Sequence, residues 1–284
     1  MAKLISTNRG EFNIRTYGNP KNPPLILVHG WPQTSYCWHH VAPHIPNFYI
    51  IAPDLRGMGD SNRELDLKFY GKDEMGKDIF ALADALGIDK FALGGHDWGG
   101  AIVQEMAILV PKRIQKLIVV NMIIINNAIG KAKAKEKSIE SMYRSAWYQN
   151  FLTVKDLPEA LIAGKEDIWI RFFSRGITNP VPEDAIAEYT RCYKKPKSIT
   201  TAANLYRAIA SDMQRWVHFD NHRIDIPTLI IHGYLDPVII KEYLIGVTGC
   251  FSKISVQQVK GGHFVCDEQP ELIGGLIHGF LKAE

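Results

Sequence analysis

The segment GGHDWGG, residues 94–100, places an aspartate between two apolar stretches. The residues before it predict a buried strand, and AIVQEMAILV after it predicts a buried helix. Asp97 could cap that helix by accepting a hydrogen bond from its first turn. It could also be a nucleophile, because strand, small-x-nucleophile-x-small and helix is the pattern of a nucleophile elbow, here with aspartate where serine is usual. Gly95 and Gly99 favour the elbow, since a strained nucleophile requires strand and helix to approach closely.

Short apolar runs alternate with helical patterns through much of the chain. A helix is predicted over residues 73–87, where the apolar residues share one face. Seven runs read as strands, at residues 12–18, 25–30, 48–54, 91–96, 117–121, 228–233 and 253–259. Continuous apolar strands that alternate with helices predict an α/β fold, with a mostly parallel twisted sheet covered by helices on both faces.

The strand pattern stops at about residue 127 and resumes after residue 216. The residues between them are rich in Tyr, Trp, Lys, Arg and Glu at helical spacing, which predicts a helical insertion. We therefore expect a core domain of residues 1–126 and 217–284 and a helical lid of residues 127–216. In an open α/β sheet the ligand site lies beyond the carboxyl ends of the strands, so this lid would close over the site.

Composition limits the partners and the compartment. The chain has 284 residues and a formal charge of +3, from 33 basic and 30 acidic residues, which does not favour a nucleic acid or an anionic membrane as partner. Its most apolar segment, residues 117–125, is much shorter than the ~20 residues that span a bilayer. Four cysteines without CxxC spacing and an N-terminus without a secretory pattern predict reduced thiols and a cytoplasmic protein.

One cluster of metal-binding residue types occurs, in YCWHHVAPH. Adjacent histidines such as His39 and His40 diverge on a helix, and no second ligand cluster has a suitable spacing. We therefore expect neither a metal ion nor an organic cofactor.

Five motifs occur in a fixed order along the chain: HGWP at 29–32, DLRGMGDS at 54–61, GHDWGG at 95–100, GYLDPV at 233–238 and GGHF at 261–264. In this order they resemble the α/β-hydrolase fold. Within that fold they resemble the aspartate-nucleophile branch of soluble epoxide hydrolases and haloalkane dehalogenases. The resemblance covers the whole chain.

The resemblance implies a catalytic triad. Asp97 would be the nucleophile, His263 the base that activates water, and Asp236 the carboxylate that holds the imidazole. Each residue also has an ordinary alternative role, since Asp236 precedes a proline as turn aspartates do and His263 follows two glycines in a loop. A carboxylate suits direct attack on carbon, because it is ionised at neutral pH and needs no base.

The product of that attack is an alkyl ester on Asp97, which water activated by His263 would hydrolyse. By resemblance, the backbone N–H groups of Trp31 and Trp98 would form the oxyanion hole. The bond between Trp31 and Pro32 is a candidate cis peptide, since cis proline suits so tight a turn.

The leaving group separates the two subfamilies. Epoxide opening generates an alkoxide, and epoxide hydrolases donate hydrogen bonds to it from two lid tyrosines. AWYQNF at 146–151 and NLYRAI at 204–209 resemble those segments and indicate Tyr148 and Tyr206, with Tyr143 as the alternative to Tyr148. The substrate pocket would be lined by Trp31, Trp98, Tyr143 and Trp147. The sequence therefore predicts an epoxide hydrolase that acts on a small apolar epoxide and water; a homodimer is left open.

Two other functions stay open. A haloalkane dehalogenase would use the same nucleophile and hold halide between Trp98 and a second indole, from Trp147 or Trp169. A fluoroacetate dehalogenase fits less well, because its elbow carries arginines, where this chain has Trp98 and Ala101, and its acid follows an earlier strand, where this chain has Asn121. A non-catalytic homologue that binds a small ligand is the remaining alternative.

Overall fold

A computed structural model describes residues 2–220 and 222–283, without the side chains of residues 138–144. Its strands are β1 (Ala2–Thr7), β2 (Gly10–Tyr17), β3 (Pro24–Val28), β4 (Tyr49–Pro53), β5 (Phe91–His96), β6 (Ile114–Val120), β7 (Thr228–Gly233) and β8 (Ile254–Val259). They form one sheet in the order β1-β2-β4-β3-β5-β6-β7-β8.

The sheet is parallel from β4 to β8 and antiparallel at one edge, where β1 pairs with β2 and β2 with β4. Every residue of β5 and β7 is buried, as expected of strands covered on both faces. The predicted α/β class with a mostly parallel sheet is confirmed. Strand β1 was not predicted from the sequence, because this exposed edge strand has no buried face to produce an apolar run.

Four helices belong to the core: α1 (Lys72–Ala85), α2 (Trp98–Leu109), α10 (Val265–Glu268) and α11 (Pro270–Lys282). Helix α2 packs against β5 and β6, α1 packs on α2, and α11 contacts β7. Helix α2 begins directly after β5, which fixes the position of the residue between them.

Among the described residues, seven helices lie between β6 and β7: α3 (Ala128–Ser145), α4 (Trp147–Thr153), α5 (Leu157–Ile162), α6 (Glu166–Phe173), α7 (Glu183–Tyr193), α8 (Ser198–Arg207) and α9 (Ile209–Val217). We call residues 128–217 the helical insertion. Helices α4 and α5 pack on α8, and α6 packs on α7. That the insertion acts as a lid stays a prediction. No helix in the described part of the chain has the length and apolar character needed to cross a bilayer.

Two of the sequence motifs hold the loops that follow β3 and β4. The Nε2 atom of His29 accepts a hydrogen bond from the N–H of Leu55 at 3.0 Å. The carboxylate of Asp54 accepts from the N–H groups of Ser35 at 2.8 Å and Asp60 at 2.9 Å. These bonds fix the HGWP loop beside the ends of the central strands.

The elbow itself requires glycine on both sides. A Cβ on Gly95 would lie 2.3 Å from the carbonyl oxygen of Gly99, and a Cβ on Gly99 would lie 2.3 Å from that of Val28. Both obstacles are backbone atoms, which cannot rotate away as a side chain can. The predicted close approach at the elbow is therefore present.

We expect Gly99→Ala to destabilise the protein by roughly 3 kcal/mol, because the new methyl group meets backbone in a packed region. The matched control is Gly275→Ala on α11, where a Cβ meets nothing within 4 Å. That change should be neutral or stabilising by up to about 1 kcal/mol. Urea unfolding of both variants measures the difference, and equal stability of the two would contradict the close-approach argument.

Candidate active site

Asp97 occupies the turn between β5 and α2 in a strained conformation, with φ 52° and ψ −128°. Its side chain makes no helix-capping hydrogen bond. Instead, Oδ1 accepts a hydrogen bond from the N–H of Trp31 at 2.7 Å, and Oδ2 lies 3.3 Å from Nε2 of His263. The carboxylate is thus directed away from the helix and toward the other predicted site residues.

His263 lies in the loop after β8, and Asp236 in the loop after β7. Nδ1 of His263 is 2.7 Å from Oδ2 of Asp236. The other oxygen of Asp236 accepts from the N–H groups of Val238 at 2.8 Å and Ile239 at 3.0 Å. Asp236 therefore serves both as a turn aspartate, with one oxygen, and as the partner of the imidazole, with the other.

The charges of these groups depend on one another. Burial favours neutral His263, but the charge and hydrogen bond of Asp236, together with those of Asp97, raise the pKa of His263 to about 10. Burial also opposes ionisation of Asp97, yet the hydrogen bond and charge of His263 and the N–H of Trp98 lower the pKa of Asp97. At neutral pH the resting site holds an ionised Asp97 beside a protonated His263.

Two buried polar residues that the sequence analysis did not assign to the site hold the backbone of His263. Nε2 of His96 is 2.8 Å from the carbonyl oxygen of His263, and Nδ1 of His96 is 2.9 Å from Oε1 of Gln33. Asn121, at the end of β6, donates to the same carbonyl at 2.9 Å and accepts from the N–H of Gly233 at 2.7 Å. In the sequence, a signal for this role of Asn121 is its position at the end of an apolar run.

The predicted oxyanion-hole residues lie on two sides of Asp97. The N–H of Trp31 already contacts its carboxylate, and the N–H of Trp98 is among the groups that lower its pKa. The bond between Trp31 and Pro32 is cis. Both indoles turn toward the helical insertion.

Tyr148 and Tyr206 are buried against these indoles. Trp31 stacks on Tyr148, with ring centroids 5.0 Å apart and planes at 9°. Tyr206 is edge-on to Trp31 and to Trp98, at 5.4 Å from each. Burial, with a contribution from the charge of Asp97, raises the pKa of both phenols, so they remain protonated donors. A third tyrosine, Tyr193, was not singled out, although its hydroxyl accepts from the indole of Trp31 at 3.1 Å.

Two cavities reach the site, and both are bordered by Pro237 and Val238. One has a volume of about 530 Å³, and the residues of the site that line it are Asp97, Trp98 and Tyr206. The other measures about 270 Å³, and the predicted residues that line it are Trp31, Trp147, Tyr148 and His263. The side chain of Tyr143, predicted for the pocket, lies outside the described residues.

At the histidine cluster, Nε2 of His40 lies 3.1 Å from a carboxylate oxygen of Asp184. Across the described residues, one acid and thiol cluster has the spacing of a metal site, and it comprises Asp60, Glu188 and Cys192. Its carboxylates already pair with the guanidinium of Arg191. Protein cations thus occupy the position that a metal ion would take.

Comparison with known proteins shows the family of the chain. Residues 23–270 match the family described as the alpha/beta hydrolase fold. The chain is 28% identical to epoxide hydrolase 4 of Mus musculus, over 96% of this chain and 77% of that protein. It is also 28% identical to a soluble epoxide hydrolase of Corynebacterium sp., over 88% and 87%. The solved structure of epoxide hydrolase CorEH is similar, with a TM-score of 0.78 and 26% identity over 99% of this chain and 98% of that one.

The raised pKa of His263 makes stability depend on pH. Its folded value of about 10 exceeds the ordinary value of 6.5, so its contribution to stability is fully present below pH 6.5 and is lost as the pH rises through 10. We expect the free energy of unfolding of the wild-type protein, relative to His263→Gln, to fall across this window. Urea unfolding of both proteins at a series of pH values measures it, and parallel curves would contradict the charge assignment.

Proposed function

Since the chain belongs to the alpha/beta hydrolase fold family, we propose that it hydrolyses epoxides to vicinal diols through a covalent ester on Asp97. One observation carries the proposal. The Asp97 carboxylate has one oxygen held by the N–H of Trp31 and the other facing His263, with two buried tyrosines packed on the flanking tryptophans. The relatives that are named epoxide hydrolases support the same reaction class.

In the first step, Oδ2 of Asp97 attacks an epoxide carbon. The new bond from Asp97 to carbon forms as the bond from carbon to the ring oxygen breaks, and that oxygen takes a proton from Tyr148 or Tyr206. Because burial raises the pKa of both phenols, the tyrosinate is short-lived. It regains its proton from His263, which is protonated in the resting site.

In the second step, neutral His263 removes a proton from water, and the hydroxide attacks the ester carbonyl of Asp97. Esterification prepares this base, because it removes one of the two carboxylate charges that raise the pKa of His263. The developing oxyanion on Oδ1 is stabilised by the N–H of Trp31, which is already 2.7 Å away, and by that of Trp98. Collapse releases the diol, whose alkoxide takes the proton from His263. The proton of the regenerated Asp97 carboxyl then passes to His263, which restores the resting site.

The tyrosine pair favours an epoxide over a haloalkane as substrate. A halide requires two N–H donors directed at the leaving atom. The indole N–H groups of Trp98 and Trp169 are buried without a hydrogen-bond partner among the described residues, but the ring of Trp98 packs against Tyr206 and that of Trp169 against Trp31, with centroids 6.1 Å apart. Trp147 is 39% exposed. Two protonated phenols, by contrast, supply the acid that an alkoxide requires.

We expect His263→Gln to accumulate the ester, because ring opening needs no base and hydrolysis does. After incubation with styrene oxide, intact-mass analysis should show the protein plus one substrate mass, located on the peptide that contains Asp97. Asp97→Asn is the matched control and should remain unmodified. An adduct in the control, or none in His263→Gln, would contradict the covalent scheme.

We expect Tyr148→Phe or Tyr206→Phe to slow ring opening by on the order of 10²-fold, comparable to the loss of one oxyanion donor. The double variant should be nearly inactive yet folded, because only hydroxyl groups are removed. Diol formation is measured by chromatography. Near-wild-type turnover by the double variant would reject the tyrosine assignment, and halide release from a bromoalkane without any diol formation would favour the dehalogenase.

A further inference from the structure

Lys72, in the first turn of α1, is a fully buried cation that the reaction scheme does not use. Its side chain and that of Asp212 on α9 are each 0% exposed, and Nζ lies 2.9 Å from Oδ2 of Asp212. A buried ion pair of this kind stabilises a fold little, compared with apolar residues of the same volume, because both charges lose their hydration. Stability alone therefore does not account for its presence beside the site.

The other two contacts of the ammonium group lead to the proposed reacting groups. Nζ donates to the carbonyl oxygen of Leu205 at 2.7 Å, and Leu205 directly precedes Tyr206. Nζ also lies 4.3 Å above the ring of Trp98, which directly follows Asp97. Nζ of Lys72 thus contacts the backbone directly before Tyr206 and the ring of Trp98, against which Tyr206 packs.

Asp212 connects this cation to the core as well. Its Oδ1 accepts from the backbone N–H of Lys72 at 3.0 Å and from Nη2 of Arg215 at 2.7 Å. Arg215 in turn donates to both oxygens of Glu105 on α2, at 2.8 and 2.9 Å. The helical insertion is therefore joined to α1 and α2 through α9, the helix that follows that of Tyr206.

Tyr206 depends on such contacts more than Trp98 does. The backbone of Trp98 is fixed by the strained elbow and by α2, whereas Tyr206 lies on α8, in the insertion. Burial lowers the pKa of Lys72, while the charges of Asp212, Glu105 and Asp97 oppose that change. The hydrogen bond from Nζ holds the Leu205 carbonyl in place.

We propose that Lys72 is a positioning residue for ring opening, which holds Tyr206 against Trp98 with the donor directed at the epoxide oxygen. This inference rests on the proposed epoxide hydrolysis. It assigns Lys72 to the first step alone, because the N–H groups of Trp31 and Trp98 that serve ester hydrolysis are fixed without it. Asp212 is the counter-charge that keeps the cation buried.

The test removes both charges at once, because removal of Asp212 alone would strand the charge of Lys72. The variant is Lys72→Met with Asp212→Asn, made in the His263→Gln background so that ring opening of styrene oxide is followed alone by intact mass. We expect alkylation to slow by about 10- to 100-fold, as for a misplacement of about 1 Å. In a Tyr206→Phe background the same pair change should slow alkylation by less than about 2-fold further, because the hydroxyl group that Lys72 is proposed to position is absent.

The matched control is Arg56→Met with Asp78→Asn, which removes another buried ion pair, 3% and 2% exposed, that does not contact the site. It should alkylate at the parent rate. If the Lys72 pair variant does not fold, Lys72→Met alone, in which Asp212 keeps Arg215 as its partner, must show the same selective loss, by a few-fold.

Decay of the ester, followed in single turnovers with His263 present, should be unchanged by the Lys72 pair variant. Equal slowing of ring opening and ester decay, or a pair effect that persists in Tyr206→Phe, would overturn the positioning role while leaving epoxide hydrolysis intact. Absence of any ester in the His263→Gln parent protein would instead overturn the proposed function, and this inference with it.

Discussion

The site depends on how the chain keeps the carboxylate of Asp97 ionised away from water. Its oxygens meet one backbone N–H and one imidazole, and these partners come from the loop after β3 and the loop after β8. These two contacts can stabilise the carboxylate only if both loops lie at the same edge of the sheet. The parallel arrangement of β3, β5, β7 and β8 provides this. The fold thus places the groups that stabilise the ionised carboxylate before any substrate binds.

The two halves of the site are held by different means. On the core side, a strained backbone turn, glycines in contact with backbone atoms, and the bonds of His96 and Asn121 to the His263 carbonyl fix each group. On the side of the insertion, Tyr148 and Tyr206 are held by ring packing, and the insertion is joined to α1 by the buried pair of Lys72 and Asp212. The first arrangement is rigid because it is backbone, and the second depends on side chains that reach from the insertion to the rest of the protein.

Local sequence patterns predict much of the fold and of the site. The seven predicted strands, the α/β class and the elbow follow from apolar runs, hydrophobic periodicity and glycine spacing, and each of these patterns extends over about ten residues. Strand β1 was missed because it is an exposed edge. The contacts of Lys72 with Asp212 and Leu205 join positions more than 130 residues apart in the chain. Lysine and aspartate at such a separation look like ordinary surface residues until the fold brings them together.

The division of the site between core and insertion has an evolutionary consequence. The residues proposed for hydrolysis of the ester follow strands of the sheet, whereas both proposed acids for the leaving group lie in one continuous stretch, residues 128–217. Changes confined to that stretch can alter which leaving group is accepted while the nucleophile and its base remain untouched. New substrates are thus within reach of recombination or drift in this one segment, without passing through a form that has lost its hydrolytic residues.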